Sequence, residues 1–139
     1  MIVVDTTVWI DFLEARETLF DLHLKNLIAD AAPLALTDII YCEVLQGVRH
    51  DPTFSRTRDK LLAFPILGMS SLQTFEHAAG IYRDCRKRGV TIRSTIDCLI
   101  AATCIEAGAE LYHNDRDFEA IAKVTELRLH RSRTTSAWR

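Results

Sequence analysis

The sequence contains little that would interrupt regular structure or separate two domains. Its 139 residues include five glycines and three prolines, and no internal repeat, low-complexity run or glycine- and serine-rich linker is present. A chain of this length can bury one proper core and is too short for two. We therefore predict a single domain that spans residues 1–139.

Long apolar segments are also missing. No stretch approaches the roughly 20 continuous apolar residues that a membrane-spanning helix requires, so we expect no membrane association. The acid Asp5 follows three apolar residues directly, and no basic segment precedes them as it would in a signal peptide. The expected compartment is the cytosol.

Cysteine and charge exclude further classes of protein. The cysteines form no Cys-x-x-Cys pair and no Cys/His cluster with zinc spacing. Without an export signal we expect no disulfides and predict that all four are buried, small apolar side chains, namely Cys42, Cys85, Cys98 and Cys104. The net charge of −2 argues against a protein that coats nucleic acid through bulk charge.

Basic residues are nevertheless concentrated in two places. One stretch contains Arg83, Arg86, Lys87, Arg88 and Arg93, and the C-terminal part contains Arg128, Arg131, Arg133 and Arg139. Such residues form either a solvated helix end and a loose tail or a surface that contacts phosphate groups. The pattern alone does not decide between these two interpretations.

Apolar periodicity predicts short strands that alternate with helices. The predicted strands are residues 2–4, 34–36, 66–67, 110–113 and 127–129. The predicted helices are residues 7–13, 19–29, 38–48, 53–64, 71–88, 94–107 and 116–124. This alternation predicts an α/β fold with a parallel sheet and helices on both faces. In such sheets ligands bind beyond the carboxyl ends of the strands, near the point where the strand order reverses.

Two acids follow predicted strands. Asp5 comes directly after the first strand, and Asp115 comes after the 110–113 strand with Asn114 between them. Both should therefore lie at the carboxyl edge of the sheet. An aspartate at a strand-to-helix junction also commonly caps the helix, and this second interpretation stays open for both residues.

Two further acids project from apolar helix faces. Glu43 shares a face with Ile39 and Ile40, and Asp97 is followed at helical spacing by Ile100 and other apolar residues. Carboxylates rarely lie in a core unless they are paired or bound to metal. The alternatives are a partly exposed position at a helix edge for Glu43 and a Ser94-x-x-Asp97 capping box for Asp97.

A bound cation is the simpler way to bring these acids together. Two carboxylates about 4 Å apart repel by roughly 4 kcal/mol at an effective dielectric near 20. A cluster therefore either raises its own pKa values or recruits a cation, and oxygen ligands suit Mg²⁺ or Mn²⁺. Such a site indicates phosphate chemistry. Thr6 or Thr7 would hold a water or an acid in place, and Arg93 is either a substrate-phosphate contact or an ordinary surface residue.

These residues carry a resemblance to a known family. The chain opens with Val3-Val4-Asp5-Thr6-Thr7-Val8-Trp9-Ile10, which resembles the opening of PIN-domain proteins, especially VapC-type toxins. The segments 39–47 around Glu43 and 96–102 around Asp97 match the second and third acidic positions. Asn114-Asp115-Arg116-Asp117-Phe118 is similar to the final acidic element, with Asp115 the main acid and Asn114 and Asp117 accessory residues.

The resemblance implies a fold and an activity. The fold would be a three-layer α/β sandwich with a five-stranded parallel sheet, and the activity Mg²⁺- or Mn²⁺-dependent cleavage of RNA, usually tRNA or ribosomal RNA. Asp5, Glu43, Asp97 and Asp115 would be catalytic, with Asp5, Asp97 and Asp115 holding the metal. The resemblance also implies a homodimer and a VapB-type antitoxin, through which the protein would contact operator DNA.

Other interpretations of the acids are weaker. A haloacid dehalogenase phosphatase needs a second aspartate where Thr7 stands, and a receiver domain needs paired acids after the first strand and a lysine after a late one. A PIN-fold module that binds RNA or protein without catalysis stays open.

Two further expectations concern residues outside the acid set. His113 is expected to be a strand-end residue that faces solvent or a neighbour, because the proposed mechanism needs no histidine base. An aromatic and apolar set belongs either to the core or to a dimer or antitoxin surface, namely Trp9, Trp138, Phe75, Ala78, Ala79 and Tyr82.

Overall fold

The structure is a computed structural model that describes residues 1–69 and 71–132. Within these residues, five strands alternate with seven helices. The strands are β1 (Ile2–Val4), β2 (Leu34–Thr37), β3 (Ile66–Leu67), β4 (Glu110–Tyr112) and β5 (Arg128–Leu129). The helices are α1 (Thr6–Leu13), α2 (Leu19–Ala29), α3 (Asp38–Gln46), α4 (Asp51–Leu61), α5 (Leu72–Lys87), α6 (Thr95–Ala107) and α7 (Arg116–Val124).

The strands form one parallel sheet in the order β3-β2-β1-β4-β5. From β1 the chain builds the sheet outward through β2 and β3, then returns to add β4 on the other side of β1. The strand order therefore reverses between β1 and β4, and the register places Val4 beside Tyr112 at this point. The loops that follow these two strands leave in opposite directions and open a crevice between them.

Helices cover both faces of this short sheet. Helix α1 packs against α2 and α3, and α5 packs against α6 and α7. The strand residues Val3, Val4 and Leu111 are fully buried, as expected for central strands of a covered parallel sheet. Helix α6 is the most deeply buried helix segment, since every residue from 98 to 104 is buried. The three-layer α/β fold with a five-stranded parallel sheet is thus confirmed.

Each predicted strand and helix is present, with ends that differ by up to three residues. The largest difference is in α4, which covers Asp51–Leu61 instead of residues 53–64. Pro52 lies in the first turn of that helix, where a proline sacrifices no helical hydrogen bond. Within the described residues, no helix is long and apolar enough to cross a membrane.

One expectation about burial was wrong and an open alternative is resolved. Cys85, Cys98 and Cys104 are buried, but Cys42 is exposed because it lies on the outer side of α3. Trp9 and Ala78, considered for an interaction surface, are each 1% exposed and belong to the core. Trp9 packs there against Phe12 and Phe64.

The rest of the aromatic and apolar set remains partly accessible. Phe75 is 46% exposed, Ala79 is exposed and Tyr82 is half-buried. These three residues of α5 are therefore still available to an interaction surface, whereas Trp138 lies outside the described residues.

Two glycines, one at a helix end and one inside a helix, offer a matched test of glycine's role in each position. Gly108 ends α6 with a φ of 65°, a left-handed conformation that costs a side chain energy. Gly80 lies inside α5, and a Cβ added there would meet nothing within 4 Å. We expect Gly108→Ala to lower the free energy of unfolding by about 1 kcal/mol and Gly80→Ala to raise it by about 0.5–1 kcal/mol. Urea unfolding measures both, and shifts of the same sign would contradict this account.

Candidate active site

Asp5 lies where the sheet order reverses. Its backbone N–H donates to the carbonyl of Tyr112 at 2.9 Å, which continues the pairing of β1 with β4 by one residue. The residue is 4% exposed. Asp5 is the first residue before α1, yet within the described residues its carboxylate makes no well-aligned cap hydrogen bond. Thr7 Oγ1 donates to its Oδ2 at 3.2 Å. Hydrogen bonds from the backbone of Thr6 and Thr7 lower the pKa of the same carboxyl, so Asp5 serves the start of α1 as well as the crevice.

Asp115 follows β4 at the same edge of the sheet. It lies beside the crevice, as predicted, and it also caps a helix. It precedes α7, and its Oδ1 caps the helix by accepting the N–H of Asp117 at 2.9 Å. The same oxygen accepts a hydrogen bond from Arg93 Nη2 at 3.1 Å. Capping fixes the orientation of this carboxylate while leaving it at the edge of the crevice.

Arg93 joins two acids of the site. Its Nε donates to Asp117 Oδ2 at 3.1 Å and its backbone N–H donates to the same oxygen at 3.3 Å. The Arg93 side chain is nevertheless 67% exposed, against 10% for that of Asp117. The guanidinium thus lies at the rim of the acidic crevice with much of its surface open to solvent.

Glu43 and Asp97 enter the crevice from α3 and α6. Glu43 is half-buried, and Thr6 Oγ1 donates to its Oε1 at 2.7 Å. Asp97 is half-buried in the first turn of α6. That helix is capped by Ser94, whose Oγ accepts the N–H of Ile96 at 3.1 Å. The cap positions Asp97 at the helix start, next to the strand ends.

The electrostatics show that these acids share one site. The pKa of Asp5 is raised to about 7, mainly by burial and also by the charge of Glu43, against hydrogen bonds from Thr6 and Thr7 that lower it. Burial, together with the charges of Asp5, Asp115, Asp117 and Glu43, raises the pKa of Asp97 to about 7. Asp97 therefore senses every other acid of the cluster. At neutral pH the crevice holds more negative charge than its surroundings stabilise.

The donor set suits a hard divalent cation. All the donors are carboxylate oxygens, the ligands that Mg²⁺ and Mn²⁺ favour, and the buried charge of Asp5 and Asp97 lacks full compensation. Within residues 1–69 and 71–132, no group of three or more His, Cys, Asp or Glu side chains forms a ready-made metal cage. Mg²⁺ does not require one, since it is usually held by one or two carboxylates together with waters and substrate phosphates.

The structure also shows which partners the accessory residues and His113 have. Thr6 and Thr7, predicted as accessory residues, hold Glu43 and Asp5 respectively. Asn114 is half-buried between the end of β4 and Asp115. His113 is 6% exposed and therefore faces neighbours rather than solvent. Burial lowers the pKa of its imidazole, although the neighbouring Glu119 opposes this.

Comparison with known proteins places this arrangement in a family. The family model described as PIN domain matches residues 2–124. Over 128 residues the chain is 37% identical to Ribonuclease VapC11 of Mycobacterium tuberculosis, covering 91% of this chain and 96% of that protein. The chain is a PIN-domain protein of the VapC group. It is also 35% identical to Ribonuclease VapC51 of M. tuberculosis over 98 residues, covering 70% of this chain and 71% of the relative.

Solved structures show that the VapC-group fold is shared more widely. The toxin–antitoxin complex VapBC2 of Rickettsia felis, bound to a DNA fragment from its promoter, contains a chain that matches with a TM-score of 0.73 at 19% identity. The match covers 94% of this chain and 98% of that chain. A chain of a toxin–antitoxin complex from Klebsiella pneumoniae matches with a TM-score of 0.70 at 23% identity, covering 93% and 100%. Membership in the PIN-domain family excludes the haloacid dehalogenase and receiver interpretations of Asp5.

Proposed function

We propose that this VapC-group protein is a divalent-cation-dependent endoribonuclease. Asp5, Glu43, Asp97 and Asp115 are its catalytic acids, and Asp5, Asp97 and Asp115 hold Mg²⁺ or Mn²⁺. The observation that carries this proposal is the mutual electrostatic coupling of the acids at the point where the strand order reverses. Its identity to proteins named as VapC ribonucleases supports the choice of RNA as substrate.

The residues of the crevice have distinct roles in this chemistry. A bound divalent cation supplies charge that polarises the scissile phosphate and favours attack by water at neutral pH. Asp5, which is buried, and Asp97, which is half-buried, provide carboxylates whose repulsion a cation would relieve, and Thr7 donates to one Asp5 oxygen. Glu43, held by Thr6, stays available to orient or accept a proton from the attacking water.

Helix N-termini and Arg93 complete a place for the phosphate. Helices α1, α6 and α7 all begin beside the acids, and the positive ends of helix dipoles favour an anionic ligand. Arg93 already forms salt bridges with Asp115 and Asp117, and its guanidinium remains exposed. In the proposed complex it contacts a substrate phosphate at the rim of the crevice.

Cleavage of purified tRNA and ribosomal RNA tests the proposed activity. We expect discrete fragments with Mg²⁺ or Mn²⁺, and none with EDTA or with an Asp5→Asn variant prepared in parallel. Asp30→Asn, which changes an exposed carboxylate at the end of α2, is the matched control and should cleave like the wild type. Cleavage that survives Asp5→Asn would contradict the site assignment. Absence of both cleavage and metal binding would favour a non-catalytic RNA- or protein-binding module.

The substrate role of Arg93 makes a separate prediction. In an Asp97→Asn background that does not cleave, Arg93→Ala should weaken binding of a labelled single-stranded RNA. The slope of log affinity against log salt should also fall by about 0.7, the value for one phosphate contact with a single strand. Fluorescence anisotropy at several salt concentrations measures both quantities. Arg58→Ala, an exposed arginine of α4 paired with Asp59, is the control, and equal effects from both variants would contradict a specific contact.

The partners proposed here rest on the family. VapBC complexes among the structural neighbours, one of them bound to promoter DNA, support inhibition by a VapB-type antitoxin and contact with operator DNA through it. The exposed Leu72 and Phe75 of α5 support a homodimer interface on that helix. We propose tRNA or ribosomal RNA as the substrate, and, with such a substrate and a protein inhibitor, the cytosol as the compartment.

A further inference from the structure

His113 accepts a hydrogen bond from the loop that carries Asp115. It follows β4 and precedes the two-residue loop, Asn114 and Asp115, that leads into α7. Its Nδ1 accepts the backbone N–H of Asp115 at 2.8 Å. We infer that His113 is a positioning residue that holds Asp115 toward the acidic crevice, an inference that rests on the proposed role of Asp115 as a metal ligand.

The hydrogen bond fixes which nitrogen carries the imidazole proton. Because Nδ1 accepts from the Asp115 backbone, the proton of the neutral ring is on Nε2. Nε2 lies 3.5 Å from Glu119 Oε2, the side toward which this proton points. The ring also packs against Phe118, with the two centroids 5.4 Å apart. His113 is therefore held in both orientation and tautomer by residues of α7.

Arg131 balances the charge that this arrangement buries. Glu119 is 8% exposed, and its two oxygens accept from the two terminal nitrogens of Arg131 at 2.9 and 3.0 Å. A chain of contacts thus runs from Arg131 after β5, through Glu119 and His113, to the backbone of Asp115. It ends on the acid that also caps α7 and pairs with Arg93.

Asp115 is also held through its carboxylate, whose Oδ1 caps α7 and accepts from Arg93. Its charge contributes to raising the pKa of Asp97, so the two carboxylates lie close together. A bond to its backbone N–H restrains the loop without using the carboxylate oxygens. Groups that orient metal ligands in this way are commonly worth about 10- to 100-fold in metal affinity.

Two variants of nearly equal size separate this role from simple packing. In His113→Asn the amide oxygen is attached to Cγ, as Nδ1 is, and can accept the Asp115 N–H. In His113→Leu a methyl group takes that place and the contact with Phe118 is retained. We expect His113→Leu to weaken Mn²⁺ binding about 10-fold or more and His113→Asn to recover most of it. The exchange rate of the Asp115 amide, followed by NMR on labelled protein, should rise in His113→Leu and stay near the wild-type value in His113→Asn.

The outcomes distinguish this inference from the proposed function. Equal losses of Mn²⁺ affinity in the two variants would mean that His113 acts through its volume. Wild-type affinity in both variants would show that the hydrogen bond is irrelevant. Either result overturns the inference. If wild-type protein bound no Mn²⁺, the proposed function would fall and the inference with it. Unchanged Asp115 exchange in His113→Leu would overturn the inference while leaving the nuclease proposal in place.

Discussion

Replacing Asp97 with asparagine is expected to abolish most RNA cleavage and at the same time stabilise the metal-free protein. We expect kcat to fall about 10²- to 10³-fold or more, the usual cost of removing one electrostatic element of an active site. The free energy of unfolding at about pH 8 should rise by about 1–2 kcal/mol. This figure is well below the full value of the pKa shift, because Asp97 is half-buried and solvent screens part of its charge.

The stabilisation follows from the position of Asp97 among the other acids. Its pKa of about 7 reflects burial and the charges of Asp5, Asp115, Asp117 and Glu43, so ionisation of Asp97 opposes folding when no cation is bound. Asparagine has nearly the same shape and carries no charge. The melting temperature and the cleavage rate of the same preparation measure the two effects. The Asp30→Asn control should change neither.

Either half of this result can fail separately. Retained cleavage would remove Asp97 from the catalytic set. Loss of cleavage without any gain in stability would mean that the crevice already neutralises the carboxylate, and the electrostatic reason for binding a cation would disappear. A site evolved for function commonly carries such a cost in stability.

The second large effect is a pH dependence that divalent cation should remove. The folded-state pKa values of Asp5 and Asp97 are raised from 3.8 to about 7. Between these limits the folded protein binds protons that the unfolded chain does not. The stabilisation from these protons is fully present below the unfolded pKa and is lost as pH rises through about 7. In EDTA, the melting temperature should therefore rise as pH is lowered from about 8 to about 6.5.

Two histidines set the lower limit of this window. Burial lowers the pKa values of His23 and His113, and a depressed histidine pKa costs stability as pH falls below its ordinary value of about 6.5. Saturating Mg²⁺ should raise the melting temperature most at about pH 8, since protons compete with the cation at lower pH. A metal-induced shift that is equal at both pH values, or larger at the lower one, would contradict carboxylate ligation by Asp5 and Asp97.

The fold could be predicted because its local signals agree. Short apolar runs such as Ile2–Val4 alternate with longer amphipathic segments. A strand that is buried on both faces is a continuous apolar run, which distinguishes it from a surface strand with alternating polar residues. The positions of Asp5 and Asp115 followed from one topological rule, since Asp5 directly follows β1 and Asp115 follows β4 after two residues, at the same edge of a parallel sheet. The strand order itself did not follow from periodicity, because β1 pairs with β4 across more than 100 residues of chain.

The contacts within the site could not be predicted from the sequence either, because many of them join residues that are far apart along the chain. Arg93 and Asp115 are separated by 22 residues, and Thr6 and Glu43 by 37. Nothing in local spacing indicates which helix face turns toward a partner so far along the chain. The bond from His113 to Asp115 spans two residues. Local spacing still does not predict it, because a histidine at a strand end is weighed first as a base and only the loop geometry turns the Asp115 N–H toward Nδ1.

The most direct test of the account is a count of Mn²⁺ ions bound per chain, measured by electron paramagnetic resonance of the free ion. The account predicts that wild-type protein and Asp30→Asn withdraw Mn²⁺ from the free signal at neutral pH, and that Asp5→Asn and Asp97→Asn do not within the same concentration range. Equal binding by all four proteins would contradict the central claim that the buried acids between β1 and β4 form the metal site.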